Sequence, residues 1–135
     1  MLVFPDIELE TRAYLLEALG PRWPGLQVVP EDPGIDWQTD TPTMLVYTIT
    51  GTGARTGVVY ERALLGFDVY APTHSQASRL ARELRAVLED WPNRTGLVAG
   101  FSDNARPART SLEDVAYPAY WYAANLQFKA TTTTL

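Results

Sequence analysis

The sequence has no cysteine, one histidine and two methionines among its 135 residues. Without a thiol there is no disulfide framework, thiolate zinc site, iron–sulfur cluster or cysteine nucleophile, and the chain suits a reducing compartment. A solitary imidazole, His74, excludes a histidine pair on zinc and forces any Ser-His-Asp relay through that one residue. Positive charge is also scarce. Eleven Lys+Arg stand against 16 Asp+Glu, a net charge of −5, so a broad grip on DNA phosphates is disfavoured. No apolar run approaches the roughly 20 residues of a membrane helix. The opening Met1-Leu2-Val3-Phe4-Pro5-Asp6 reaches an acid at once, which predicts no secretory leader.

What is present is a 46% apolar fraction, enough for one soluble domain over residues 1–135. At this size about two-thirds of the unfolded surface can be buried, so neither a disulfide nor a metal is needed to hold the core.

Apolar residues recur at helical spacing between Ser75 and Trp91: Ala77, Leu80, Ala81, Leu84, Val87, Leu88 and Trp91. Thr73-x-x-Gln76 marks the start as a capping box, and Pro92 marks the end. Arg79–Glu83 and Arg85–Glu89 are spaced to pair across one turn. A second helix is expected from Asp6 to Gly20-Pro21, with Asp6 as cap and Leu9, Ala13, Leu16 and Leu19 as its apolar stripe. Elsewhere the period is two. Ala63, Leu65, Phe67 and Val69 alternate with Arg62, Gly66 and Asp68; Thr43–Thr50 is rich in β-branched and aromatic residues; Tyr120, Tyr122, Leu126 and Phe128 alternate with Trp121, Asn125, Gln127 and Lys129. Short strands are expected at Leu26–Val29 and Leu97–Phe101, and loops at Glu31–Asp40 and Asp103–Pro118. The element order predicts an α+β fold, a mixed or antiparallel β-sheet with two helices on one face. The run Val58–Tyr70 would reach roughly 43 Å, long enough to form with Thr43–Thr50 a projecting β-hairpin whose tip is Gly51–Gly57.

Candidate chemistry is thin. His74 falls in the first turn of the expected second helix, with no G-x-S-x-G elbow beside it. Gly51-Thr52-Gly53-Ala54-Arg55-Thr56-Gly57 has its third glycine one position late for a dinucleotide fingerprint and leads into a strand, so it offers no helix N-terminus to an anion. Glu31, Asp32, Asp36 and Asp40 concentrate acid but lack the ligand alternation of a calcium loop. No cofactor or metal is expected, and no catalytic role. The aromatics stand out more. Alternation places Trp121 on the face away from the core, beside Asn125 and Gln127; it is either a subunit contact or is covered by the chain's own loop.

Phe4-Pro5-Asp6-Ile7-Glu8, Arg12-Ala13-Tyr14-Leu15, Thr41-Pro42 before a strand with a Gly-rich tip, Ala63-x-Leu65-x-Phe67-x-Val69-x-Ala71, the Ala77–Leu88 helix and the Ala105-Arg106-Pro107 turn together have a familiar pattern. Over nearly the whole chain it resembles the tail terminator proteins of long-tailed bacteriophages, also called tail completion or minor tail proteins. The resemblance implies a small α+β subunit that forms a homo-oligomer, usually a hexameric ring. Such a ring sits at the head-proximal end of the tail tube, touching the major tail tube protein and the head connector or neck proteins. It also implies no catalytic residues. Six copies would carry about −30, a field that repels passing DNA instead of binding it. The expected interface residues are Gly51, Gly53, Arg55 and Gly57 of the hairpin, Trp37 of the Glu31–Asp40 loop, and Trp121. Within the same class, a head-completion protein fits the sequence nearly as well; a small enzyme or ligand-binding domain would rest on His74 and the acidic loop alone.

Overall fold

Asp6 starts the first helix, its Oδ1 accepting the Leu9 amide at 3.1 Å, and α1 runs Ile7–Leu19. The computed structural model describes residues 2–3, 5–30, 41–50, 55–56, 60–94, 96–110, 119–129 and 131–132. The face α1 buries is not the expected one. Thr11, Leu15 and Leu19 are buried, whereas Leu9 is 52% and Leu16 49% exposed, and Ala13 is exposed between them. Apolar side chains surround this helix, so its local pattern does not select a face; Tyr14 does. Its hydroxyl donates to the Val87 carbonyl, and its ring stacks on Trp91 at 4.4 Å and 1°. Thr11 tolerates burial because its hydroxyl donates to the Ile7 carbonyl at 2.7 Å.

Helix α2 (His74–Asp90) follows the sequence closely. Thr73 Oγ1 accepts the Gln76 amide at 3.2 Å, and Ala77, Leu80, Ala81, Leu84 and Leu88 are buried. The 3-10 turn Trp91–Asn93 then ends it, with Pro92 inside. Arg79 approaches Glu83 at 3.7 Å as its spacing predicts. Arg85 does not turn to Glu89: it holds Asp103, a more favourable fork, through Nη2–Oδ2 at 2.6 Å and Nε–Oδ1 at 3.2 Å.

The main sheet has the order β2-β3-β5-β7-β6, from β2 (Gln27–Val29), β3 (Thr43–Thr50), β5 (Tyr60–Tyr70), β6 (Val98–Thr110) and β7 (Ala119–Lys129), with β4 (Arg55–Thr56) paired to β5. It is mixed: β2 runs parallel to β3 and the other pairs are antiparallel. A separate ribbon pairs β1 (Leu2–Val3) with β8 (Thr131–Thr132). Both helices cover one face, where Leu15, Leu84, Phe67, Tyr122 and Phe128 are among the residues of one core; α1 lies over β2 and β3, and α2 over β5, β6 and β7. This is the α+β architecture expected.

Two segments depart from their sequence reading. Thr56 pairs with Tyr60 and Arg55 with Glu61, so Arg55 and Thr56, expected within the Gly51–Gly57 tip, belong to a strand paired with β5; the other residues of that tip lie outside the described residues. β5 also pairs with β7 from Tyr60 to Tyr70, which makes the hairpin an extension of the sheet. Residues 103–110, expected as loop with a turn at Ala105-Arg106-Pro107, continue β6. Pro107 and the weak strand formers around it are tolerated because β6 ends the strand order. Register shifts at Val98/Gly100, Asp103/Ala105 and Ala105/Ala108 mark that edge as irregular.

Candidate functional site

The sheet face turned away from the helices carries an aromatic patch. Alternation from Phe67, Val46 and Tyr122, which point to the core, sends Tyr47, Gly66, Asp68 and Trp121 to the opposite side. Register then brings them together: Tyr47 stands opposite Gly66, and Asp68 opposite Trp121. Trp121 Nε1 donates to the Tyr47 hydroxyl at 3.2 Å, which donates to Asp68 Oδ1 at 3.1 Å. Leu45 and Tyr70 are buried beside them, with Val29 and Tyr47 packed on. Gly66 is required by close approach: a Cβ there would lie 2.4 Å from Tyr47 Cε2. Each polar group in the relay has a partner, so the patch presents aromatic surface with fixed side chains.

Burial pushes the Asp68 carboxyl above its ordinary value, with the Tyr47 hydroxyl partly opposing. Burial also raises Tyr47, and the Asp68 charge adds to this. A carboxyl that ionises less readily when folded contributes stability below about pH 4 that is lost as pH rises through its folded value. Asp68→Asn should therefore gain stability relative to the native chain as pH rises from about 4 to 7, because the amide oxygen still accepts from Tyr47. Thermal melts across that range check this; a constant difference between the two proteins would refute it.

A second unit fastens α2 to β6 and β7. The buried Tyr122 hydroxyl donates to Asp103, whose other partner is Arg85. The Arg85 guanidinium holds the Asp103 carboxyl below the usual carboxylate range, while burial, with Asp103 beside it, pushes the Tyr122 phenol up. The linkage is opposite to that of Asp68: the contribution of Asp103 is whole above about pH 5 and fades as pH falls toward 3. Tyr122→Phe should cost about 1 kcal/mol at pH 7, read from urea denaturation, and Asp103→Asn should flatten the acid limb of the stability profile.

The third feature lies on α1. Leu9, Ala13 and Leu16 form an exposed apolar stripe, and beside it an open groove of about 610 Å³ is lined by Glu10, Tyr14, Glu17, Trp91 and Arg94 among others. Arg94 is paired with Asp90 at 2.5 Å. The Glu17 carboxylate also acts on the Arg94 guanidinium and, after Asp90, helps to hold it charged.

Of the residues expected at an interface, Trp121 is half-buried in the aromatic relay and the Arg55 backbone lies on β4. Gly51, Gly53, Gly57 and Trp37 lie outside the described residues, as do the loop acids 31–40. His74 is exposed in the first turn of α2. Among the described residues no group of three His, Cys, Asp or Glu could hold a metal ion, and no helix is long and apolar enough to cross a membrane. The sequence reading missed Tyr47, Gly66 and Asp68. The signal for two of them was present in the alternation that set Gly66 and Asp68 between core positions.

No family model and no curated protein matches the chain. Among solved structures it is similar to the bacteriophage SPP1 gp17 protein, at 14% identity over 96% of this chain and 87% of that one, with a TM-score of 0.35. A likeness of that degree assigns neither an activity nor a partner to this chain.

Proposed function

We propose that this chain is a structural subunit of a long-tailed phage virion: a tail terminator that forms a ring at the head-proximal end of the tail tube. There it stops tube polymerisation and offers a surface to the head connector. The reading joins the resemblance of its sequence pattern to one observation, the exposed leucine stripe of α1, a feature that in a small domain calls for a partner. The fixed aromatic patch around Trp121 gives further contact surface of the composition that interfaces favour. On this reading the protein works by shape, performs no bond-making chemistry and lets DNA pass without specific binding. It resides at the head–tail junction of the virion, and in host cytoplasm during assembly.

The test mixes purified protein with tail tubes and, separately, with filled heads, and images both by negative stain; a phage lacking the gene is examined in parallel. Caps on tube ends, and overlong unjoined tails in the mutant phage, are expected. Binding to heads alone would transfer the protein to the head side of the joint. Tails of normal length joined to heads without the gene would overturn the assignment.

A further inference from the structure

We propose that two copies of this chain pair through α1, the two helices side by side and parallel about a two-fold axis; this goes beyond the tail-terminator reading and does not rest on it. At about 100° per residue, Leu9, Ala13 and Leu16 fall within about 60° of one another around α1, and all three are exposed. Their steps of four and three are those of d, a and d in a heptad. The small Ala13 between the two leucines lets a second helix axis approach closely. The charges beside this seam decide what covers it and in which direction.

In the same register Glu10 and Glu17 take the e positions on one flank of the seam and Arg12 the g position on the other. Arg12 and Glu10 form no ion pair among the described residues. Glu17 is exposed, and its charge is the weakest of the influences on Arg94, which Asp90 holds directly. In a parallel pair the g residue of one helix meets the e residue five positions further along the other. Arg12 of each copy therefore reaches Glu17 of the second copy, and the pairing occurs twice about the axis. An antiparallel pair would instead set Glu10 against Glu17 and Arg12 against Arg12. The order of cation, leucines and carboxylates across α1 is thus self-complementary, which selects a second copy, in parallel, as the occupant. A two-fold contact closes at two copies and cannot propagate round a ring, so this is a pairing of the free chain. With Leu9 at 52% and Leu16 at 49% exposure, the area added is small and the dimer is of the weak, transient class. Any assembly that uses the stripe must first part it.

Sedimentation equilibrium of the native chain up to about 1 mM should show monomers and dimers in exchange, with fewer dimers as salt is added; monomers throughout would overturn the proposal. Arg12→Glu and Glu17→Arg should each raise the dissociation constant about tenfold, with circular dichroism unchanged. Mixing the two variants should restore pairing, because unlike charges again face each other at both sites. Native pairing in either variant alone, or no recovery on mixing, would refute the charge register. The chain has no cysteine, so single thiols report direction. Leu9→Cys and Leu16→Cys should each form a disulfide dimer in air on its own, since the d positions of parallel helices lie within disulfide reach. Ala86→Cys, exposed on α2, is the control for random collision and should stay monomeric; equal rates for all three would overturn the contact. A disulfide formed only when the Leu9 and Leu16 variants are mixed would overturn the parallel pairing in favour of an antiparallel one. Native chain that stays monomeric yet caps tail tubes would overturn this dimer and leave the tail-terminator reading intact; a dimer that binds neither tubes nor heads would do the reverse.

Discussion

Replacing Trp91 with alanine should lower the unfolding free energy by about 3–5 kcal/mol, the range for a buried Trp truncated in a core. The expectation follows from what its indole joins. Trp91 is 3% exposed, lies parallel to Tyr14 at 4.4 Å, and meets Phe128 edge-on at 5.6 Å and 83°. It thus ties α1, the end of α2 and β7 in one contact, at the point where Pro92 stops the helix. A domain of ordinary stability has only about 5–15 kcal/mol in total, so the variant should be partly unfolded at 37 °C. Trp91→Phe keeps a ring for Tyr14 to stack on and should lose roughly half as much. Urea denaturation followed by circular dichroism reads both values. A loss below about 1 kcal/mol for Trp91→Ala would mean that the three elements are held by something other than this aromatic stack.

The elements that the sequence announces are those whose signals are local. Thr73, the apolar spacing from Ala77 to Leu88, and Pro92 define α2 without help from the rest of the chain, and the alternation of Ala63, Leu65, Phe67 and Val69 defines the inward face of β5. Asp6 likewise fixes where α1 begins, yet not how it is turned. Its apolar side chains lie on every side, and the choice between burying Leu15 or Leu16 is made by Tyr14 reaching Val87 and Trp91, residues more than 70 positions away in sequence. β6 was hidden because Pro107 and its neighbours carry turn chemistry, and only a place at the sheet edge lets them serve as strand. The parallel pairing of β2 with β3 has no local signature. The aromatic site divides in the same way: alternation points Trp121 away from the core, but its meeting with Tyr47 and Asp68 is a product of register across β3, β5 and β7.

Register also explains why a glycine stands at position 66, and substitution there should have the second large effect. Glycine inside a strand ordinarily weakens it, so alanine would be expected to gain roughly 0.5–1 kcal/mol. Here the added Cβ would lie 2.4 Å from Cε2, 2.6 Å from Cζ and 2.9 Å from the hydroxyl oxygen of Tyr47. The ring must move. It is held by its bond to Asp68, the bond from Trp121 and packing on Leu45 and Tyr70, so displacement strands a half-buried carboxyl as well as straining the patch. Overpacking at about 1–3 kcal/mol and a lost hydrogen bond at about 1 kcal/mol outweigh the strand gain, and Gly66→Ala should be destabilised by about 2 kcal/mol net. The decisive comparison is in a Tyr47→Ala background, where the same Cβ meets no ring and Gly66→Ala should become neutral or stabilising. A double-mutant cycle by urea denaturation isolates that reversal of sign. Equal costs in both backgrounds would show that the backbone at position 66, and not the tyrosine above it, demands glycine. If the Trp121 face takes part in assembly, Gly66→Ala should also reduce tube capping at temperatures where the variant is fully folded, since it alters the shape of that face while leaving its apolar composition almost unchanged.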